Sequence, residues 1–512
     1  MKKHVLLISM IAVLSLVGCG KTSSPSENKP SEAPSSEVKP TESSKEADES
    51  KDSSQASNQT SSQQSSSSKA PSSVEPPEVI TGANFTVSIP KDLSMMSWNC
   101  KMYVDDMRAQ QQRLLQEKGA NADYYLNDLY STSGVDITKG VLPSNNNYQD
   151  NTGGYRDGVT ENDYLDPVGA DWEKGEKSDE NKGITISFEP AEALKNKQYT
   201  FSYGLKEDLS DAKEISTNDT NVCLKNLLVN QKYYFKVAAD GTASETLDFT
   251  TGDYPRWINA RPMFNVRDHG GYMTDSGKRI KQGMVYRGGE INSKTNWYGS
   301  QRYTDDTGNT QARDGHIVTQ TDASKKVFRE DMGMVNGLEI DLRSGSETNG
   351  YPVTSNVCNF AISNDISYKM LSISSYYNGM KNNTSQIKQV FEAFAQADQH
   401  PVYYHCYGGA DRTGVVGFML GALLGMSYTD LVIDFELTSY SSNPSRNYRG
   451  HLRNGPWNDW PGLVDYCKNT ANNGLGWGTT KTIKQGMEEY LKNKCGVSQT
   501  TINKIREIML ED

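Results

Sequence analysis

Between Pro401 and Met426 the chain passes within a few residues from a run that reads as a buried strand to one with the apolar density of a core helix. Pro401-Val402-Tyr403-Tyr404-His405 offers little to solvent, and Val415 to Met426 is apolar apart from interspersed glycines. A buried strand that feeds a buried helix through a short loop predicts an α/β domain with a central sheet flanked by helices. The joining loop, Cys406-Tyr407-Gly408-Gly409-Ala410-Asp411-Arg412, carries the chemistry. Gly408 and Gly409 allow positive φ, so the backbone can curl and approach an anion with no Cβ in the way. Backbone N–H groups of Tyr407, Gly408, Gly409, Ala410, Asp411 and Arg412 are then set to form a nest at a helix start, where the helix dipole favours negative charge such as a phosphate. The same field suits a thiolate, which makes Cys406 the candidate nucleophile. Arg412 presents a planar fork for two oxygens at once, which a lysine would do less well. A carboxylate at such a site is repulsive unless it is protonated or used, so Asp411 is the first candidate general acid, with an outward helix cap as its alternative. Thr413 can donate its hydroxyl to a departing sulfur or simply start the helix, and His405 can orient the loop. A cysteine six residues before an arginine is weak evidence alone; here histidine, glycines, threonine, strand and helix all agree.

Two further segments share this character. One is Asn265-Val266-Arg267-Asp268-His269-Gly270-Gly271-Tyr272 followed by Gly277 to Gly288; the other is Ile340-Asp341-Leu342-Arg343-Ser344-Gly345-Ser346-Glu347, a strand ending in Asp-Leu-Arg-Ser. With the loop, these resemble the bacterial secreted tyrosine phosphatases of the atypical, lipid-phosphatase-like branch, whose loop reads His-Cys-x-x-Gly-Lys-Asp-Arg-Thr-Gly. The resemblance covers about residues 254–512. It implies a cysteine-dependent phosphatase acting through a phosphocysteine intermediate, without metal or cofactor, on a phosphorylated protein or a small phosphomonoester. Ala410 stands where the family has lysine, which removes a cation that could meet a second phosphate and favours phosphotyrosine over a phosphoinositide. An inositol-phosphate or phosphoinositide phosphatase is the alternative within enzymology, and a phosphate-capturing surface protein with little turnover the alternative outside it. Asp459-Trp460-Pro461 has the wrong order and lies on the wrong side of the cysteine for a Trp-Pro-Asp acid loop. Asp411 is therefore the first acid candidate and Asp341, at a strand's carboxyl end, the second. Arg267, Asp268, Arg287 and Arg343 could touch substrate, although such residues more often tie loops together by buried ion pairs.

The start of the chain reads as a secretory signal. Lys2-Lys3 precedes an apolar run, Val5 to Val17, that is short for a membrane span, and Leu16-Val17-Gly18-Cys19 looks like a bacterial lipobox with Cys19 as the lipidated residue. That places the protein at the bacterial cell surface, held to the outer face of the cytoplasmic membrane by lipid alone. Residues 20–80 are rich in serine, proline and glutamate and cannot build a core; as a flexible tether they would span roughly 40–50 Å. Residues 81–250 alternate apolar and polar positions in short runs and resemble a fibronectin type III β-sandwich, Leu227 to Tyr233 having the spacing of its tyrosine corner. An insertion of unassigned role, with a helix expected over Asp105–Lys118, separates the strand Phe85–Ile89 from Ile184. Residues 251–512 form the catalytic part and close on two amphipathic helices. The formal net charge is −11, and the acidic excess falls before position 251, so nothing suggests nucleic acid. Seven cysteines, with no paired spacing, argue against a disulfide framework or a metal site, though Cys358 or Cys467 could protect Cys406 if close to it.

Overall fold

The computed structural model describes residues 76–96, 98–118, 182–261, 263–291, 321–345, 366–375, 377–441 and 481–512, with a short hairpin and a few isolated positions between them. The signal and Cys19, nearly all of the 20–80 tether, Cys358 and Asp459-Trp460-Pro461 lie outside the described residues. No helix among the described residues is long and apolar enough to cross a membrane.

The amino-terminal described part has two antiparallel sheets. One runs β1 (Glu78–Thr81), β2 (Phe85–Ile89), β3 (Ile184–Pro190) and then β6 (Asn221–Leu224), next to one another in that order. The other sets β4 (Tyr199–Gly204) between β5 (Lys213–Thr217) and β7 (Lys232–Ala239), with β8 (Leu247–Thr250) also pairing β7. β3 is buried at every second residue, as a strand with one wet face should be. The inward residues of both sheets, among them Phe188 and Ile186 from the first and Phe201 and Phe235 from the second, join one apolar cluster. Tyr233 Oη accepts the Leu228 N–H at 2.9 Å and pins the turn that enters β7. The first strand begins at Glu78, three residues ahead of the expected boundary at 81.

The insertion between β2 and β3 contains α1 (Trp98–Lys118), which starts seven residues before the expected Asp105. Its Cys100, Val104 and Met107, spaced at helical intervals, are buried in the core of the carboxy-terminal part rather than in the sandwich. Polar contacts fix the same docking: Tyr254 Oη donates to Asp105 Oδ1 at 2.9 Å and Arg108 Nη1 to the Asp253 carbonyl at 2.6 Å. A second brace joins the sandwich to the carboxy-terminal part, because Arg256 donates to the Asn226 and Leu227 carbonyls at 2.9 and 3.0 Å.

The carboxy-terminal part is built on a five-stranded sheet in the order β9 (Arg267–Asp268), β10 (Val285–Gly288), β13 (Val402–His405), β11 (Leu338–Asp341), β12 (Ser367–Met370). β10, β13, β11 and β12 are mutually parallel and only β9 is antiparallel. β10, β11 and β13 are buried at every residue, which is what a parallel strand covered on both faces requires. Its helices include α2 (Thr384–Phe394), α3 (Asp411–Leu424), α4 (Tyr428–Glu436), α5 (Ile483–Asn493) and α6 (Gln499–Met509). α3 is buried from Thr413 to Leu424 and packs against α4 and α5. It ends at Gly425, whose φ of 94° closes the helix in the left-handed conformation. α5 opens on a capping box between Thr482 and Gln485, and α6 on Ser498, whose hydroxyl accepts the Thr501 N–H. β13 sits in the middle of the sheet, so the loop that leaves it toward α3 emerges at the carboxyl ends of the parallel strands, the edge where such sheets hold their ligands.

Candidate active site

Cys406 follows the last residue of β13 and is 2 % exposed; Tyr407 and Ala410 are similarly buried, whereas Asp411 and Arg412, the first residues of α3, are partly open to solvent. The carbonyls of Cys406 to Ala410 all have partners. The Cys406 carbonyl lies 3.1 Å from His405 Nδ1, and that of Tyr407 accepts the Glu290 N–H at 2.9 Å. Asn265 Nδ2 donates to Gly408 at 3.0 Å, Arg287 Nη2 to Gly409 at 2.9 Å, and the Gly414 N–H to Ala410 at 2.8 Å. In a planar trans peptide the N–H points opposite to the C=O. Holding these carbonyls therefore sends the N–H groups of Tyr407 to Asp411 the opposite way. Gly409 makes this possible: its φ is +65°, and a Cβ there would stand 2.5 Å from the Gly288 carbonyl carbon. Gly417 serves the next layer, since a Cβ there would come within 2.8 Å of Arg287 Nη1 and 3.0 Å of Tyr404 Oη.

The arginines of the two other motifs are ties. Arg287 is paired with Asp434 on α4, and Arg267 donates to the Asp434 carbonyl at 2.7 Å and also to Asn265 Oδ1. Asp268 accepts from Arg256 at 2.7 Å and from the Gly270 and Gly283 N–H groups at 2.7 Å. Arg343 is held by Asp341 at 2.7 Å and by Glu290 at 3.0 Å, and its guanidinium lies 5.4 Å from the centre of the Tyr407 ring. Of the surface cations near the first motif, Arg279 is bound to Asp253 at 2.7 Å. Arg287, at the Gly409 carbonyl, and Arg343, over the Tyr407 ring, are in contact with the loop.

Asp341, the second acid candidate, is in the wrong state for that work. It is fully buried and accepts from Arg343 and, at 3.0 Å, from Tyr368 Oη. Burial opposes its charge, but Arg343 and His405 outweigh burial and hold the carboxyl well below the usual range. It is ionised across the neutral range and anchors Arg343. Thr413 Oγ1 is buried with no hydrogen-bond partner among the described residues, a donor still unspent at the start of α3. Cys406 and Cys467 are both free thiols, so Cys467 forms no disulfide with Cys406.

Asp434, Glu290 and Glu339 belong to the site's supporting network and carry no motif signal, since their partners are remote in sequence. Asp434 has a measurable consequence. Burial works against its charge, but Arg287, Arg267 and His269 outweigh it and lower its pKa from 3.8 to about 2. A depressed carboxylate stabilises the fold above its unfolded value near 4 and loses that contribution as pH falls through about 2. The unfolding free-energy difference between wild type and Asp434→Asn, measured by urea titration, should shrink by about 2 kcal/mol from pH 5 to pH 2. A constant difference would place the charge of Asp434 outside the native network.

Residues 258–301 and 308–511 match the family model described as Tyrosine phosphatase family, just under half of the chain and nearly all of its carboxy-terminal part. The match supports a phosphatase, with the loop at Cys406 inside the matched region. No curated protein matches the chain.

Proposed function

We propose that the protein is a cysteine-dependent phosphomonoester hydrolase with a preference for phosphotyrosine. The observation that carries this reading is the capture of the Cys406, Tyr407, Gly408, Gly409 and Ala410 carbonyls by the protein around them, which sets the N–H groups of the following residues the other way, around a cysteine at the start of a helix. The Cys406 thiolate attacks phosphorus while Asp411 gives its proton to the leaving oxygen, so that an S–P bond forms as the O–P bond breaks. Water then attacks phosphorus, the Asp411 carboxylate takes its proton, and the S–P bond breaks to release phosphate. Arg412 holds two equatorial oxygens through both steps. Thr413, whose hydroxyl is unspent, donates to the sulfur as it leaves.

The substrate preference rests on charge. Arg267, Arg287 and Arg343 are committed to carboxylates, and Ala410 is buried where the resembled family carries lysine. The site is thus suited to one dianion rather than to the several phosphates of an inositol polyphosphate. The wild-type protein should hydrolyse an aryl phosphate, keep that activity in EDTA, and show at least about tenfold higher kcat/KM for phosphotyrosyl peptides than for inositol polyphosphates, about 1.4 kcal/mol of discrimination. A preference for inositol polyphosphates would reverse the ranking, and no hydrolysis would favour a phosphate-capturing protein. At the other end of the chain, we read Cys19 as a lipid anchor and the two antiparallel sheets, with the Tyr233–Leu228 contact, as a fibronectin type III-like spacer.

A further inference from the structure

His405 meets an acceptor at each ring nitrogen. Nε2 lies 2.8 Å from Glu339 Oε1, and Nδ1 lies 3.1 Å from the Cys406 carbonyl oxygen. A neutral imidazole has one N–H and cannot donate to both; two hydrogen bonds need one more proton, shared within the Glu339–His405 pair. The pair is buried, with Glu339 at 1 % exposure and His405 at 0 %, on the adjacent parallel strands β11 and β13. A carboxylate so deep in a sheet is costly unless it is paired. Glu339 and Asp341 alternate onto one face of β11, and both act on His405; Arg343 faces it from the loop after β11, and Tyr403 stacks on its ring at 5.5 Å. Burial opposes a charge on the imidazole, but Asp341 and Glu339 outweigh burial and raise its pKa.

Given that the protein is a phosphatase of this kind, we propose that Glu339 is a positioning residue of the thiolate loop: through His405 it fixes the Cys406–Tyr407 peptide with its carbonyl turned back and its N–H toward the phosphoryl group, and it keeps a positive charge on the residue next to Cys406. The charge on His405 strengthens the Nδ1–H bond to the Cys406 carbonyl, since a hydrogen bond from an ionised donor is about twice as strong as a neutral one. That polarises the same peptide, whose N–H is then the better donor. It also holds the cation against the Cys406 carbonyl, with the balancing carboxylate at the other ring nitrogen. Glu339 touches neither substrate nor sulfur in this role and acts only through His405.

Glu339→Leu and Glu339→Gln in the full chain separate this from a packing role. The measurements are kcat and KM on an aryl phosphate, and the pH dependence of iodoacetamide alkylation at Cys406, read on the Cys406 peptide by mass spectrometry so that other cysteines do not contribute. Leucine removes the acceptor and should lower kcat by about 10–100-fold, the usual cost of losing a partner that orients a site ligand, with KM within about threefold. Glutamine keeps a hydrogen bond to Nε2 through its amide but not the charge, so its kcat should fall less. In both, the midpoint of alkylation should rise by about one pH unit as the charge that polarises the Cys406–Tyr407 peptide is lost. A structural role alone would lower thermal stability and leave that midpoint where it is in the wild type. Wild-type kcat and an unmoved midpoint in Glu339→Gln would overturn the assignment, even if Glu339→Leu failed to fold. Alkylation reads Cys406 directly, so a wild type that alkylates at low pH but hydrolyses nothing would sink the phosphatase reading while the shift in the variants still decides the role of Glu339.

Discussion

Cys406→Ser should reduce hydrolysis of an aryl phosphate by about 10⁴-fold or more, while thermal unfolding and the affinity for tungstate stay close to wild type. The two halves of that expectation have different causes. A serine hydroxyl is protonated at neutral pH and is a poor nucleophile without a base placed to activate it, so the chemical step is lost. Binding survives because the loop is not held by the cysteine side chain. Its carbonyls are gripped by the His405 ring, the Glu290 N–H, the Asn265 amide and the Arg287 guanidinium, none of which the substitution touches. Activity within about tenfold of wild type would remove the thiolate mechanism. Loss of tungstate binding together with activity would mean instead that the sulfur, and not the backbone, organises the cradle.

The parts of this site that were legible in the sequence are those whose meaning is local. A strand, two glycines, a cysteine, an arginine and a helix within 26 residues state their own geometry, because φ freedom, helix dipole and side-chain reach all act over that distance. The strand alternation of the sandwich was legible for the same reason, as in Ile184 to Pro190. Arg267, Asp268, Arg287 and Arg343 could be singled out, but their choice between substrate and tie depends on partners far away. Asp434, which takes Arg287, lies 147 residues from it in a helix with no motif. Glu339 sits in a strand whose other acidic residue, Asp341, drew attention because it ends in Asp-Leu-Arg; the register sets Asp341 opposite His405 and Glu339 opposite Tyr403, so the Glu339–His405 contact runs diagonally between β11 and β13 and neither strand signals it alone. The insertion is the clearest case. A helix was legible over Asp105–Lys118, yet no local rule says that Cys100, Val104 and Met107 join the core of a part of the chain that begins some 150 residues later. That choice also explains the early start at Trp98, since the turn containing Cys100 is buried in the same core. Tertiary burial, more than propensity, extends a helix end.

Asp411→Asn should lose far more rate on an alkyl or poorly leaving phenyl phosphate than on an aryl phosphate whose leaving group is stable as an anion. Only the first kind needs a proton delivered to the departing oxygen, and general acid catalysis contributes about 10²–10⁴-fold where it is needed. The position of Asp411 fits that work: it is the first residue of α3, directly before Arg412, and it is partly open to solvent, so it can regain a proton between turnovers. Asp341→Asn should show no such dependence. Its carboxylate is buried against Arg343 and Tyr368 and stays ionised, so removing the charge leaves the buried guanidinium to Glu290 and is expected to destabilise the fold by roughly 1–3 kcal/mol, with rates on the two substrate classes falling in parallel. Rate constants for both variants on a series of phenyl phosphates, plotted against leaving-group pKa, give the comparison directly. A steep negative slope for Asp411→Asn beside a wild-type slope for Asp341→Asn assigns the acid to the loop. Steepening in Asp341→Asn instead would return Asp341 to the role its geometry argues against, and would require that Arg343 release it when substrate binds.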